Sequence, residues 1–308
     1  MNTAIKLGVV IVTYNRLDKL IQTLRAYDEQ TVSPYEIIVV NNCSTDNTLD
    51  YLNKWKNVSR NYKKIIITTE KNIGGSGGFY MGEKYVQDHE NLDWLMISDD
   101  DAYPCNTYIE GMIDYIKGKD CSKVAIVCGR VDEYGNCQNI HRSIWTSSWN
   151  WDYHQPVPLD WYNKELFYAD FASYVGIVIN LQIMNKAGLV DPLFFIWNDD
   201  SEHTFRLRKF GNIICIPRYF MTHDVNIENN ALNWKMYYSF RNKTVFFRRH
   251  FPVKVFFIIG FLLFKTLLCP IKGRSYTEVV MRFRAIYNGI VNRLGLHSVY
   301  KPGWKPKS

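Results

Sequence analysis

The sequence lacks any pair of cysteines at metal-knuckle or redox-motif spacing. Its seven cysteines, Cys43, Cys105, Cys121, Cys128, Cys137, Cys215 and Cys269, are odd in number and scattered. Neither a zinc ribbon nor a disulfide framework is suggested, so a reducing, cytosolic compartment is expected. A cleavable leader is not evident either: MNTAIKLGVVIVTYN has a short apolar stretch without a small-residue cleavage pattern and reads as a first strand. No repeat or low-complexity tract occurs. There is no Walker A sequence, because no Lys-Ser or Lys-Thr pair follows the glycine-rich KNIGGSGGF (Lys71 to Phe79), and no GxGxxG follows the first strand.

Acids are scarce at one end. From Arg241 onward, 14 Lys and Arg face a single acid, Glu278, so that segment carries +13 while residues 1–240 carry −6. A basic tail suits nucleic acid or an anionic membrane surface. The aromatic and apolar FPVKVFFIIGFLLFKTLLCP (Phe251 to Pro270) favours the membrane, and no nucleic-acid partner is expected. Its longest uncharged run, Val255 to Phe264, is ten residues, about half a membrane span, which suits lying on a membrane better than crossing it. The alternative is a helix buried against the rest of the chain with its lysines in solvent.

What is present is core-forming capacity: 308 residues, 47% hydrophobic, enough for one large domain or a domain with an appendage. The first 130 residues alternate strand and helix signals in the manner of a parallel α/β sheet. Strands are expected at Leu7–Thr13, Glu36–Val40, Ile65–Thr69, Trp94–Ile97 and Val124–Cys128, and helices near Leu17–Glu29, Thr48–Trp55, Phe79–Val86 and Thr107–Ile116. Ligands of such sheets bind beyond the carboxyl ends of the strands. Residues 130–165, rich in tryptophan, show no clean period and read as a long structured loop. Phe171–Asn180 reads as a strand, Glu202–Phe210 as a helix and Ile213–Pro217 as a short strand.

Several turns carry polar chemistry. VTYNR (Val12 to Arg16) joins a strand to a helix, where backbone N–H groups favour an anion; a capping role for Asn15 is the plain alternative. NNCSTDNT (Asn41 to Thr48) repeats the pattern after the second strand, with Ser44 or Asp46 as ordinary caps. In KNIGGSGGF, four glycines in five positions (Gly74, Gly75, Gly77 and Gly78) carry an entropic cost that close approach to a ligand would explain, against a purely structural loop.

The strongest single feature is ISDDD, three carboxylates (Asp99, Asp100, Asp101) at the end of an apolar strand. Like charges so close repel unless neutralised, and a divalent cation is the economical partner. Asp99 and Asp101, being alternate residues, can reach one ion while Asp100 turns elsewhere; a solvated acidic turn capping the next helix is the alternative. A second cluster, FFIWNDDSEHTFRLRKFG (Phe194 to Gly211), places Asp199, Asp200 and Glu202 near a helix start, where dipole compensation or general-base chemistry would each account for them. His223, in MTHD, reads by itself as structural. Trp145, Trp149, Trp151 and Trp161 suit either stacking on sugar faces or a second hydrophobic core.

Together VVIVTYNR, EIIVVNNCSTDNT, NIGGSGGF, ISDDD and FFIWNDDSEHTFRLRKFG resemble the family 2 glycosyltransferases of the GT-A fold, over roughly residues 6–225. Within that family, the glycine loop and triple aspartate look most like bacterial galactofuranosyltransferases, with rhamnosyltransferases using dTDP-rhamnose as close relatives. The resemblance implies an α/β, Rossmann-like GT-A mixed sheet with helices on both faces over residues 1–240, and a helical, membrane-associating segment over 241–308. Thr13, Asn15 and Arg16 would line the nucleotide pocket, with Asn41 at the base where many members carry Asp. Gly74, Gly75, Ser76, Gly77, Asp100, Trp197, Asp199 and Glu202 would contact donor or acceptor. Asp99, Asp101 and His223 would hold Mn2+ or Mg2+, and Asp200 would be the catalytic base.

The implied reaction is inverting transfer from a nucleotide sugar, first UDP-galactofuranose, to a lipid-linked bacterial surface glycan. It would take place at the cytoplasmic face of the cell membrane. Two other classes are weighed against it. A sugar nucleotidyltransferase is disfavoured because no glycine-rich basic loop follows the first strand, and a non-catalytic glycan-binding subunit is disfavoured by the intact acidic residues.

Overall fold

The computed structural model describes residues 4–89, 91–225, 232–269, 271 and 273–306. The chain opens with β1 (Leu7–Thr13), α1 (Leu17–Asp28), β2 (Glu36–Asn41), α2 (Thr48–Asn57), β3 (Lys63–Thr68), α3 (Gly74–His89) and β4 (Trp94–Asp99). After these come β5 (Ala102–Pro104), α4 (Tyr108–Ile116), β6 (Val124–Glu133), β7 (Asn136–Cys137), β8 (Arg142–Trp145), β9 (His154–Pro156), β10 (Phe167–Ala169), β11 (Phe171–Ala172) and β12 (Ile177–Asn180). Last are α5 (Leu181–Ala187), α6 (Asp199–Arg208), β13 (Asn212–His223), α7 (Lys235–His250), α8 (Lys254–Leu267) and α9 (Tyr276–Ile290).

The main sheet runs β10-β13-β6-β12-β4-β1-β2-β3, with β5 and β7 paired at its edge. β3, β2, β1 and β4 are mutually parallel, β12 lies antiparallel between β4 and β6, and β13 is parallel to β6. All seven residues of β1 are buried, as expected of a central strand covered on both faces. Its alternation sorts them: Val9 and Ile11 join one core with Leu20, Leu24 and Tyr27 of α1, while Val10 and Val12 join the other with Phe79 of α3 and Leu207 of α6. This is a mixed sheet with helices on both faces, as the resemblance implies.

Four expected elements differ. The extended run Phe171–Asn180 is broken at Gly176, whose φ of +71° takes the chain out of extended geometry. Phe171–Ala172 then enters a small sheet, β11-β8-β9, and only Ile177–Asn180 joins the main one. Residues 130–165, expected as a loop, include β8 and β9 of that small sheet. β13 does not stop at Pro217 but continues to His223, because a register shift against β6 between Cys215 and Phe220 absorbs the proline. The glycine-rich segment is not a free loop: Gly74 begins α3.

The three C-terminal helices are part of the packed molecule. Phe246, Phe247, Val255, Ile258, Leu262 and Ile286 share a core with Tyr153 and Phe171, with Trp145, Trp151 and Phe205 packed on it. Two of the four tryptophans, Trp145 and Trp151, therefore belong to a separate core; Trp161 packs on the main one and Trp149 is largely exposed. α7 starts at Lys235 and runs across the expected boundary at residue 240. Among the described residues no helix is long and apolar enough to cross a membrane. Pro270, at the end of the expected apolar segment, lies outside the described residues.

Candidate active site

The carboxyl ends of β1 and β4 lie side by side, Val12 opposite Asp99, so the turns after both strands open into one cavity. It has a volume of about 250 Å³. Thr13, Arg16, Gly74, Gly75, Asp99 and Asp100, all expected from sequence, line it, together with Asn42 and Asn72. Phe195, Ile196, Trp234, Lys235 and Pro302 form its opposite wall.

Strand pairing assembles the acidic cluster. β5 pairs antiparallel with the end of β13, setting His223 opposite Ala102 and hence beside Asp101. The ligand atoms of Asp99, Asp101 and His223 all lie within 4.8 Å of one another. His223 Nε2 is 3.5 Å from Asp101 Oδ1, while its Nδ1 is 2.9 Å from Glu133 Oε1, which also meets His141 Nε2 at 3.0 Å. Arg16 bonds Asp100 at 3.2 Å and Asp101 at 2.7 Å, so Asp100 is turned toward Arg16.

Burial and the neighbouring Asp101 charge push Asp99 up to about 7, and burial, against Arg16, pushes Asp100 to about 6. For Asp101 burial acts upward, but the His223 hydrogen bond and the Arg16 charge prevail and hold it below the usual carboxylate range. Burial would lower His223; bonding to Asp101 and the charges of Asp99 and Asp101 outweigh it and raise the ring to about 9. Two carboxylates and an imidazole, oriented from behind by Glu133, form a donor set that fits a divalent cation, the imidazole tilting it from Mg2+ toward Mn2+.

The second acidic cluster follows an unusual loop. Phe195, Trp197 and Asn198 have φ of +68°, +63° and +61°, each costing about 1–3 kcal/mol in a residue with a side chain. α6 then starts with Asp199 and Asp200, and Arg206 and Arg208 in its last turn complement its dipole. Burial, then the charge of Asp200, raises Asp199 to about 8, and Asp99 adds to the shift, which ties the two acidic clusters together in space. Asp200 is also raised by burial, opposed by the Ser201 N–H that it accepts at 2.6 Å.

The remaining expected residues are placed as follows. Asn15 does not cap α1; its Oδ1 accepts from Thr45 N–H at 2.7 Å, tying the first two turns together. Asn41 is buried and accepts from Ser44 N–H at 3.1 Å, so Asn42, one residue on, reaches the cavity wall. Ser76 and Gly77 are buried in α3: Ser76 Oγ donates to Asp191 O, and Gly77 packs against Ile73. A Cβ on Gly78 would come within 2.4 Å of Val12, so that glycine lets helix and strand approach; at Gly74, with φ +79°, it would meet Phe195 O at 2.0 Å. Of the four glycines in this segment only Gly75 faces open space. Trp197 is 38% exposed beside the cavity wall. Glu202 has both oxygens engaged, by Arg206 at 3.0 Å and His250 at 3.1 Å.

Glu133, Asn42, Trp234 and Lys235 escaped the sequence reading. Asn42 lies within NNCSTDNT, where its neighbour Asn41 was named instead; Glu133, Trp234 and Lys235 lie in stretches without a motif.

The family model described as "Glycosyl transferase family 2" matches residues 8–175. The chain belongs to glycosyl transferase family 2. Among curated family relatives, an "Uncharacterized glycosyltransferase YwdF" of Bacillus subtilis is 32% identical over 115 residues, 37% of this chain and 40% of that one. "Galactofuranosyltransferase GlfT1" of Mycobacterium tuberculosis is 31% identical over 96 residues, 30% of each. The matched regions thus span well under half the length of these relatives.

Solved structures share the fold. GalNAc-T7 with UDP, GalNAc and Mn2+ aligns at a TM-score of 0.67 with 14% identity, covering 94% of this chain and 57% of that one. S. aureus TarS 1-349 with UDP-GlcNAc aligns at 0.58 with 14% identity, covering 93% and 81%.

Proposed function

We propose that this chain is an inverting, metal-dependent glycosyltransferase that moves a sugar from a nucleoside diphosphate sugar to an acceptor hydroxyl. The observation that carries the reading is the convergence of Asp99, Asp101 and His223, with ligand atoms within 4.8 Å, at a cavity that Asp99 itself lines. UDP-galactofuranose is the favoured donor because a relative carries the name galactofuranosyltransferase.

The residues divide the work. Thr13, Arg16, Gly74 and Gly75 hold the nucleotide, with Asn15 and Asn41 bracing the turns that form the pocket. Asp99, Asp101 and His223 hold Mn2+ or Mg2+, which when bound neutralises charge on the departing diphosphate. Asp200 accepts the proton of the acceptor hydroxyl as that oxygen bonds to the anomeric carbon and the carbon–diphosphate oxygen bond breaks. Attack from the face opposite the leaving group inverts the configuration. Trp197 offers a ring face to the sugars, Asp199 orients a hydroxyl, and Asp100 keeps Arg16 at the diphosphate.

The acceptor proposed is a lipid-linked glycan at the cytoplasmic face of a membrane. Support comes from α8: Phe256, Phe257, Phe261, Phe264 and Leu267 are all more than half exposed, while Val255, Ile258 and Leu262 anchor the opposite face in the core. An exposed apolar face beside Lys254 and Lys265, without an acid on the helix, suits an anionic bilayer. In sedimentation with anionic vesicles at low salt, the full chain should pellet and a Phe256→Ser, Phe257→Ser variant should stay in solution. A wild-type chain that remains soluble beside the vesicles would end the membrane proposal.

The reaction itself is tested with a panel of nucleotide sugars, UDP-galactofuranose and dTDP-rhamnose first, scored for Mn2+-dependent release of nucleoside diphosphate. Release of pyrophosphate from a sugar phosphate and a nucleoside triphosphate would instead make it a nucleotidyltransferase. No turnover with any donor would leave a binding subunit.

A further inference from the structure

The loop that delivers Asp199 and Asp200 is held from the C-terminal helices by two fully buried side chains of α7. Asn242 Nδ2 lies within hydrogen-bonding distance of three carbonyl oxygens around the loop, which share its two N–H groups: Phe194 O at 3.0 Å, Ile196 O at 2.9 Å and Trp197 O at 2.8 Å. Its Oδ1 accepts from Arg241 Nε at 2.9 Å, which fixes which way the amide faces. The rest of the Arg241 guanidinium goes to main-chain oxygens, Phe194 O at 2.8 Å, Leu193 O at 3.3 Å and Gly295 O at 2.6 Å. No carboxylate pairs with Arg241 among the described residues; its guanidinium instead lies 4.7 Å from the Tyr238 ring centroid.

A buried cation and a buried amide used in this way are expensive to desolvate, and apart from Gly295 O every carbonyl that compensates them belongs to one segment, Leu193 to Trp197. That segment holds three non-glycine residues at positive φ within four positions, a conformation that persists only when its surroundings over-determine it. From the other side Ser76 N–H donates to Phe195 O at 3.2 Å, and the Phe195 ring packs 5.2 Å from that of Tyr238. The loop is gripped between the start of α3 and the middle of α7.

We infer that Arg241 and Asn242 are positioning residues for the transfer reaction, holding the Phe195–Asn198 loop in the strained form that aims Asp200 at the acceptor. This rests on the reading of Asp200 as the base. The pair touches neither the Asp99, Asp101 and His223 cluster nor the turn at Thr13 to Arg16, whereas the loop it holds gives Phe195 and Ile196 to the cavity wall, so releasing the loop should impair turnover far more than nucleotide binding. Misplacement of a reacting group by about 1 Å can cost about 10²-fold in rate.

The test compares full-length wild type, Asp200→Asn, Asn242→Asp and Asn242→Ser. Asn242→Asp keeps the shape but sets an acceptor against the three carbonyls; Asn242→Ser keeps one donor. Each is assayed for kcat with UDP-galactofuranose, or dTDP-rhamnose if wild type prefers it, and for binding of the matching nucleoside diphosphate with Mn2+ by calorimetry. Asn242→Asp should lose about 10²-fold in kcat, with Asn242→Ser in between, while binding stoichiometry stays that of wild type and diphosphate affinity falls by less than about tenfold.

The inference is overturned if either variant binds the diphosphate and turns over at the wild-type rate. It is also overturned if kcat and binding stoichiometry fall in equal proportion, which is the mark of a purely structural role. If Asn242→Asp does not fold, Asn242→Ser decides by the same criteria. Wild-type turnover in Asp200→Asn would sink the base assignment, and the inference with it; a dead Asp200→Asn beside an active Asn242→Asp would sink the positioning role alone.

Discussion

Two groups of neighbouring aspartates lie close enough for the charge of Asp99 to act on Asp199, and the molecule compensates their charge differently. Asp100 and Asp101 sit against Arg16, and His223 approaches Asp101 from a neighbouring strand. Asp199 and Asp200 face no cation within ion-pair distance among the described residues; main-chain N–H groups at the start of α6 do what compensation there is. Carboxylates that rest on displaceable cations can exchange them for a metal ion. A carboxyl raised by burial and left without a cation keeps its affinity for a proton, which is what a general base requires.

The contrast is sharpest in Asp200→Asn. If this residue takes the proton, kcat should fall by about 10² to 10⁴ while calorimetric binding of UDP with Mn2+ is retained. A variant that instead lost Mn2+ would merge the two clusters into one site. Asp101→Ala should do the reverse, weakening Mn2+ by about 10²-fold or more, since even outer partners of a metal typically contribute 10–100-fold. Unchanged Mn2+ affinity would remove the proposed ion from this turn.

Glu202 separates charge compensation from chemistry on the same helix. Burial acts to raise its carboxyl, but the His250 hydrogen bond and the Arg206 charge prevail and hold it at about 2, against an ordinary 4.5. Its stabilisation is therefore complete above pH 4.5 and is lost as pH falls through about 2, a contribution of about 3 kcal/mol. Glu202→Gln should lower the melting temperature at pH 7 and flatten its decline at acid pH. A mutant melting curve that tracks wild type across that range would mean the pairing with α7 contributes nothing.

The smallest effect is expected at Glu133→Gln, which keeps an oxygen for His223 Nδ1 but loses the charge. Mn2+ affinity should drop about tenfold, the low end for an outer partner. An effect as large as that of Asp101→Ala would make Glu133 a ligand, an arrangement that its closeness to His141 and His223 also permits.

Much of the parallel half was legible because each strand there is an apolar run closed by a polar turn, and each helix repeats its buried residues at three and four positions, as Leu20, Leu24 and Tyr27 do in α1. The ISDDD turn was legible for the same reason: a buried strand ending in three acids has few structural excuses. The glycine segment was ambiguous because sparse side chains look alike whether a ligand or a neighbouring strand approaches. Here Gly78 admits Val12 and Gly74 admits Phe195, and Gly75 is the one left facing open space.

From residue order alone came the family resemblance, through its motifs, and the site of the acidic turn and the division between an acidic body and a basic, aromatic tail, which local period and composition carry. Folding alone set His223 beside Asp101, through a register shift that carries β13 past Pro217. It also turned the tail inward, so that Arg241 and Asn242 grip the loop before Asp200 from about 45 residues away in the chain. Hydrogen bonds from buried side chains to distant carbonyls leave no period in a sequence, because any carbonyl serves as acceptor whatever residue bears it.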